Sequence, residues 1–175
     1  MEFQLRPWRR GDLAALVQSA DDPLVAATLR DSFPSPYTRA AARRFLRESI
    51  GGDPDAQLCL AVEIEGRAAG SIGLFVQRDI YRQNAELGYW LARPYWGRGV
   101  MTRAVSQACG LAFERLGVRR IFAETMAPNL GSRRVLEKCG FSLEGTLRQN
   151  AKKNGRVCDT CLYGLLLGEL RSPQP

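Results

Sequence analysis

Gly97, Arg98, Gly99, Val100, Met101 and Thr102 stand where a strand-like run gives way to a helical one. The strand-like run, Glu86 to Ala92, stops at Arg93-Pro94, and an amphipathic segment begins after Gly99. Helix N-termini present unpaired N–H groups and partial positive charge, and glycines let a phosphate approach the backbone closely. Strand, glycine turn and helix start in that order read as an anion cradle. A P-loop needs a lysine and a Ser/Thr at fixed spacing after the second glycine, and neither is present. A dinucleotide fingerprint needs a third glycine where Thr102 stands and an acid about 20 residues on. Position 122 is Phe, while Glu124 lies near enough that spacing alone leaves that alternative open.

The remaining chemistry is bounded by what the chain lacks. It has no histidine, which removes Ser-His-Asp, Cys-His and histidine general-base mechanisms. Of five cysteines, Cys158 and Cys161 form one CxxC. With no second pair and no histidine, core packing is the better reading and no metal site is expected. Eight arginines against two glutamates between Arg93 and Arg134 carry most of a net charge of +7. That field surrounds the cradle and suits a multiply phosphorylated ligand. No basic stripe with interleaved aromatics appears, so direct nucleic-acid binding is not expected. No apolar run approaches the roughly 18 residues of a membrane span, and Met1-Glu2-Phe3 does not resemble a signal peptide, so the chain is expected to be cytoplasmic.

A single domain over residues 1–168 and a disordered tail over 169–175 are expected. Phe3–Pro7 reads as a strand, Gly11 to about Arg30 as helix broken at Asp21-Asp22-Pro23, and Thr38 as the N-cap of a helix to about Ile50. Leu58–Ile64 and Ala68–Gln77 form a hairpin about Glu65-Gly66, and Asn84–Ala92 is a third strand leading into the cradle. Met101, Val105, Ala108, Ala112 and Leu116 line one face of the following helix, which Gly117 ends. Then come a strand (Ile121–Met126), a helix (Leu130–Lys138), a strand from Gly140 to about Leu147, a polar loop (Asn150–Arg156) and a last strand (Val157–Leu166). This order describes a mixed α/β sheet, an antiparallel N-terminal half feeding a β-α-β crossover.

Three ordered motifs resemble one family. Glu86-Leu-Gly-Tyr-Trp-Leu with Tyr95-Trp-Gly-Arg-Gly-Val-Met-Thr102 resembles the acetyl-CoA motif of the GNAT N-acetyltransferase superfamily, in its RimJ/RimL-type branch of ribosomal-protein N-terminal acetyltransferases. Asn129 through Phe141 is close to that branch's Asn-x-x-Ser and Leu-Glu-Lys-x-Gly-Phe signature. Glu144 to Arg148, with Gly155, Asp159 and Tyr163, matches its C-terminal pattern. The superfamily often has Arg or Gln at the Trp96 position and Gly or Ala at Met101; Trp is usual for this branch.

The resemblance implies a mixed, mostly antiparallel six- to seven-stranded sheet flanked by helices, with acetyl-CoA as co-substrate. It implies that backbone groups of Leu91 and Arg93 meet the pantetheine arm and that amides from Gly97 to Thr102, including Arg98, Gly99, Val100 and Met101, bind the pyrophosphate. Asn129, also a natural helix cap, would hydrogen-bond the pantetheine or acetyl end, and Ser132 would steady the departing thiolate. Arg133, Arg134 and Lys138 are candidates for the 3′-phosphate.

The acyl transfer that this implies asks little more. A thiol leaves readily at pKa about 8.5, and an α-amine at about 7.7–8.0 is partly neutral near pH 7. A base is useful without being demanding. Glu86 is the first candidate, ahead of Asp159 and Glu124. The branch points to a protein or peptide N-terminal amine; an aminoglycoside, polyamine or amino acid is the alternative on the same scaffold. A non-catalytic acyl-CoA-binding regulatory module is the alternative of another class, against which the presence of Asn129 and Ser132 argues. The substrate-holding parts are expected at about Leu24–Tyr37 and Ile80–Asn84, and the apolar last strand (Cys161–Leu167) could make a homodimer by pairing across a two-fold.

Overall fold

The computed structural model describes residues 1–171. Seven strands, β1 (Gln4–Pro7), β2 (Gln57–Ile64), β3 (Arg67–Val76), β4 (Asn84–Leu91), β5 (Arg120–Met126), β6 (Ser142–Lys153) and β7 (Arg156–Leu166), form one sheet in the order β1-β2-β3-β4-β5-β7-β6. Five helices flank it: α1 (Leu13–Ala20), α2 (Pro23–Ala26), α3 (Arg39–Gly51), α4 (Val100–Arg115) and α5 (Leu130–Cys139). The mixed, mostly antiparallel sheet expected from the sequence is the one observed.

Side-chain alternation divides the sheet into two cores. Leu60, Val62, Ile72, Leu74, Leu87 and Leu91 pack with Val100, Val105, Ala108 and Leu136 under α4 and α5. On the other face Ala61, Ala68 and Trp90 pack with Leu16, Val25, Tyr37 and Leu46 from α1 to α3. Arg6 binds β1 to its neighbours from within: its guanidinium donates to both Asp12 oxygens at 2.8 Å and to Glu63 at 2.5 Å.

Among the described residues the only parallel pairing is β4 with β5, and it is short: Asn84↔Arg120, Ala85↔Ile121, Glu86↔Phe122. Beyond Glu86 the two strands have no register partners across this gap. Leu87–Leu91 and Ala123–Met126 instead line a cavity. This splay is the feature of the fold that positions the site.

Several expectations change. The polar loop at Asn150–Arg156 does not exist: β6 runs on to Lys153 and turns at Asn154-Gly155 (φ 50° and 77°). Asn-Gly is the two-residue hairpin signal, since both turn positions need positive φ. Register shifts at Leu143/Gly145 and Leu147/Ala151 absorb the surplus residues of β6. The helix after Asp22 is a single turn, not a run to Arg30. The start of the expected tail is ordered: Arg171 N–H donates to the Cys139 carbonyl at 3.0 Å, and Ser106 Oγ donates to the Arg171 carbonyl at 2.9 Å. The rest of that tail, 172–175, lies outside the described residues. Strand β7 is interior, with β5 on one side and β6 on the other over Thr160–Gly164, so dimer pairing through the last strand finds no free edge there. Last in sequence is not last in the sheet, because the β6–β7 hairpin folds its second strand inward. Cys158 and Cys161, three apart on β7, face opposite sides of the sheet and are no ligand pair. No helix among the described residues is long and apolar enough to cross a membrane.

Candidate active site

The glycine turn is built by backbone conformation. Gly97 and Gly99 both have φ near 72°, and Gly99 stands at the N-cap of α4. L side chains rarely adopt that region, and a Cβ at either position would project into open space. The first amide of this stretch to find a carbonyl is that of Arg103, donating to Gly99 O at 3.2 Å. The amides from Gly97 to Thr102 have no backbone partner among the described residues. They are donors waiting for an acceptor at the positive end of a 16-residue helix.

The strand before the turn is held open. Just past β4 the Ala92 N–H donates to Ala69 O at 2.8 Å, so by alternation the backbone groups of Leu91 face away from β3, toward the splay. The Trp96 indole donates to the Leu91 carbonyl at 2.6 Å, which leaves the Leu91 N–H on the cavity side. Trp96, which reads from sequence as a mere family variant, thus braces the connection between strand and turn.

Across the splay, Asn129 caps α5, its Oδ1 accepting from Ser132 N–H at 3.1 Å. The cap turns the first residues of α5, Ser132 among them, toward the cavity. Ser132 Oγ lies 2.8 Å from the Tyr89 hydroxyl, which also reaches the Ser132 carbonyl at 3.1 Å. Burial pushes the Tyr89 phenol above its usual range, so it keeps its proton through neutral and mildly basic pH. Sequence reasoning missed Tyr89. Its place in the Glu86–Leu91 motif marks it, but only the fold shows that it meets a serine 43 positions away.

A cavity of about 1240 Å³ joins these parts. Leu91, Gly97, Gly99, Val100, Met101, Thr102, Asn129, Ser132 and Glu86 all line it. Arg93 and Arg98 do not. The Arg93 Nε is bound to Asp22 at 2.7 Å and its carbonyl accepts from Trp96 N–H at 3.1 Å, leaving its N–H as the backbone group open to a ligand. Of the three basic candidates on α5, Arg134 and Lys138 line the cavity, whereas Arg133 is spent on the Tyr163 hydroxyl and the Ala127 carbonyl.

The carboxylates also separate. Glu86 faces the cavity from the root of the splay, one oxygen held by Arg30 at 2.5 Å. Glu124 lines it from β5 and accepts from Asn150 at 2.8 Å. Asp159 lies outside the lining and accepts from the Gln149 amide at 2.8 Å within the β6 bulge, a structural role.

The chain matches the acetyltransferase (GNAT) domain family over residues 2–142. It belongs to that family. The protein named "Probable N-acetyltransferase YjcK" of Bacillus subtilis (strain 168) is 38% identical over 109 residues, 62% of this chain and 60% of YjcK. In that relative and two further ones from the same organism, the matched stretch spans 54–60% of their length. The spermidine N(1)-acetyltransferase of Escherichia coli (strain K12) is 28% identical over 153 residues, covering 87% of this chain and 80% of its own. Among solved structures, Mycobacterium smegmatis RimJ in complex with CoA-disulfide superposes with a TM-score of 0.81 at 26% identity, over 98% of this chain and 84% of RimJ.

Proposed function

We propose that this chain is an acetyl-CoA-dependent N-acetyltransferase whose acceptor is the α-amine of a protein or peptide N-terminus. The observation that carries the reading is the continuity of one cavity from the free amides of Gly97–Thr102, past Ser132, to Glu86 and an aromatic wall of Phe33, Tyr37 and Trp90. One end suits a pyrophosphate and the other a peptide-like amine, with the splay between them.

The neutral amine attacks the thioester carbonyl, the C–N bond forms, and the carbonyl π electrons move to oxygen. Collapse of that oxyanion breaks the C–S bond. The amine proton passes to water or to Glu86, and the sulfur departs as a thiolate that Ser132 steadies by donating a hydrogen bond. The Tyr89 phenol has one proton and two acceptors. When it donates to Ser132 Oγ, the serine O–H is free to turn to the sulfur. The Leu91 N–H and the Asn129 side chain hold the pantetheine arm, and Arg134 and Lys138 face the 3′-phosphate.

The relation to a spermidine acetyltransferase and the carboxylates of Glu48, Glu86 and Glu124 along the cavity support a second reading, a polyamine acceptor. Arg30 and Arg44 line the same stretch and offset that charge, which favours the peptide. Release of CoA thiol from acetyl-CoA, measured with a peptide panel and with spermidine, separates the two. Turnover of spermidine with none of any peptide would overturn the first reading, and CoA binding without turnover of any amine would favour a binding module.

A further inference from the structure

The acceptor-side face of β3 and β4 holds an aromatic side chain that the fold leaves uncovered. Phe75 is 43% exposed, yet it lines the cavity. It pairs in register with Glu86, while Gly73 pairs with Gly88 and Ser71 with Trp90. All six share one face, that of α1 to α3. The Phe75 ring leans over Gly73, where a Cβ would fall 2.7 Å from it. Gly88 beside it is bare, and a Cβ there would meet nothing within 4 Å. On the far side Trp90 stands edge-on to Phe33 at 5.6 Å, and Phe33 meets Tyr37 at 4.7 Å. Because β5 has splayed away, no strand among the described residues pairs with Gly88 from the other edge.

We infer that Gly88 is the floor of a subsite for a large apolar or aromatic side chain on the residue that carries the acceptor amine. Phe75 forms one wall, and Phe33 with Trp90 forms the other. The inference rests on the acceptor reading above and deepens it. Glu86 and Gly88 are two residues apart on one strand, about 7 Å. That is the span between an α-amine and the far part of its own side chain. An amine at Glu86 therefore lays its side chain on Gly88. An apolar side chain gains by leaving water there, and a ring can stack edge or face against Phe75.

The test compares peptides that differ only in their first residue, Phe, Leu or Ala, together with phenethylamine and ethylamine. Wild type should show kcat/KM for the Phe and Leu peptides about tenfold or more above the Ala peptide, the scale of one or two methylenes in an apolar pocket. Gly88→Leu should cut that ratio at least about tenfold by filling the floor, and Phe75→Ala should cut it about threefold. The shift in melting temperature on adding CoA shows whether each variant has folded. Equal kcat/KM for Phe and Ala peptides in wild type, or an equal loss for both in folded Gly88→Leu, overturns the subsite and leaves the peptide reading standing. Inert peptides with phenethylamine still ahead of ethylamine overturn the peptide reading and keep the subsite. If no amine turns over, equal thermal shifts from the two amines overturn the subsite.

Discussion

The two sides of the β4–β5 splay present different kinds of surface to a ligand. The α4–α5 side presents backbone: free amides at Gly97–Thr102, the Leu91 N–H and a helix cap at Asn129. The α1–α3 side presents side chains gathered from distant segments, Phe33, Phe75, Glu86 and Trp90, around a residue with no side chain. Backbone recognition tolerates most side-chain substitutions and is broken by altered conformation. Side-chain recognition is retuned by single substitutions. A fold made this way can keep one donor molecule while its acceptor varies, in keeping with the range of activities one scaffold can host.

The largest expected effect of substitution lies at the junction of the two sides. Ser132→Ala should lower kcat about a hundredfold, the low end of what losing one donor to a developing anion costs, with KM for acetyl-CoA nearly unchanged. The loss should be the same for every amine, and steady-state kinetics on two acceptors checks it. Gly99→Val comes next. Forcing a β-branched residue to φ near 72° costs about 2 kcal/mol, so the dissociation constant for CoA should rise about thirtyfold, read by calorimetry. Neither residue reads the acceptor, and an effect that depended on the amine would break the contrast drawn above.

Smaller effects sharpen it. Tyr89→Phe should lower kcat about tenfold, and the double variant with Ser132→Ala should be little worse than Ser132→Ala alone, because the two act as a unit. Glu86→Gln should cost a few-fold in kcat/KM, by differing amounts for different amines. In wild type, kcat/KM should rise with pH through the amine pKa of about 7.7–8.0, since only the neutral amine attacks. Burial raises the Tyr89 pKa, so the phenol stays protonated past its ordinary range and should impose no falling limb between pH 8 and 10. A pH–rate profile with a descending arm in that window would remove Tyr89 from the proposed role. Smallest of all, Arg93→Ala breaks a partly exposed ion pair with Asp22 and should cost at most about 1 kcal/mol of stability, read by denaturant unfolding.

Legibility followed the same divide. The donor side was readable because its parts are local. Glycines that need positive φ, an Asn at a helix start and a helix of 3.6-residue period each announce themselves within a few positions. The same locality hides the partners of the Arg93 and Arg133 side chains, Asp22 and Tyr163, which nearness in sequence to the site does not announce. The outer half of the β6–β7 hairpin reads as a loop in the sequence although Asn154-Gly155 signals a turn, because bulges in β6 break the alternation that identifies a strand.

The sequence by itself determined the order of elements, the glycine turn at the start of α4 and the family, since these rest on conformational preferences and motifs a few residues long. Tertiary structure decided where β4 and β5 part, that Tyr89 meets Ser132, that β7 is an interior strand, and that Phe75 and Trp90 flank a bare Gly88. Those contacts join positions tens of residues apart, and their formation depends on how the whole sheet twists and closes. No local preference encodes that, so it enters only with the fold.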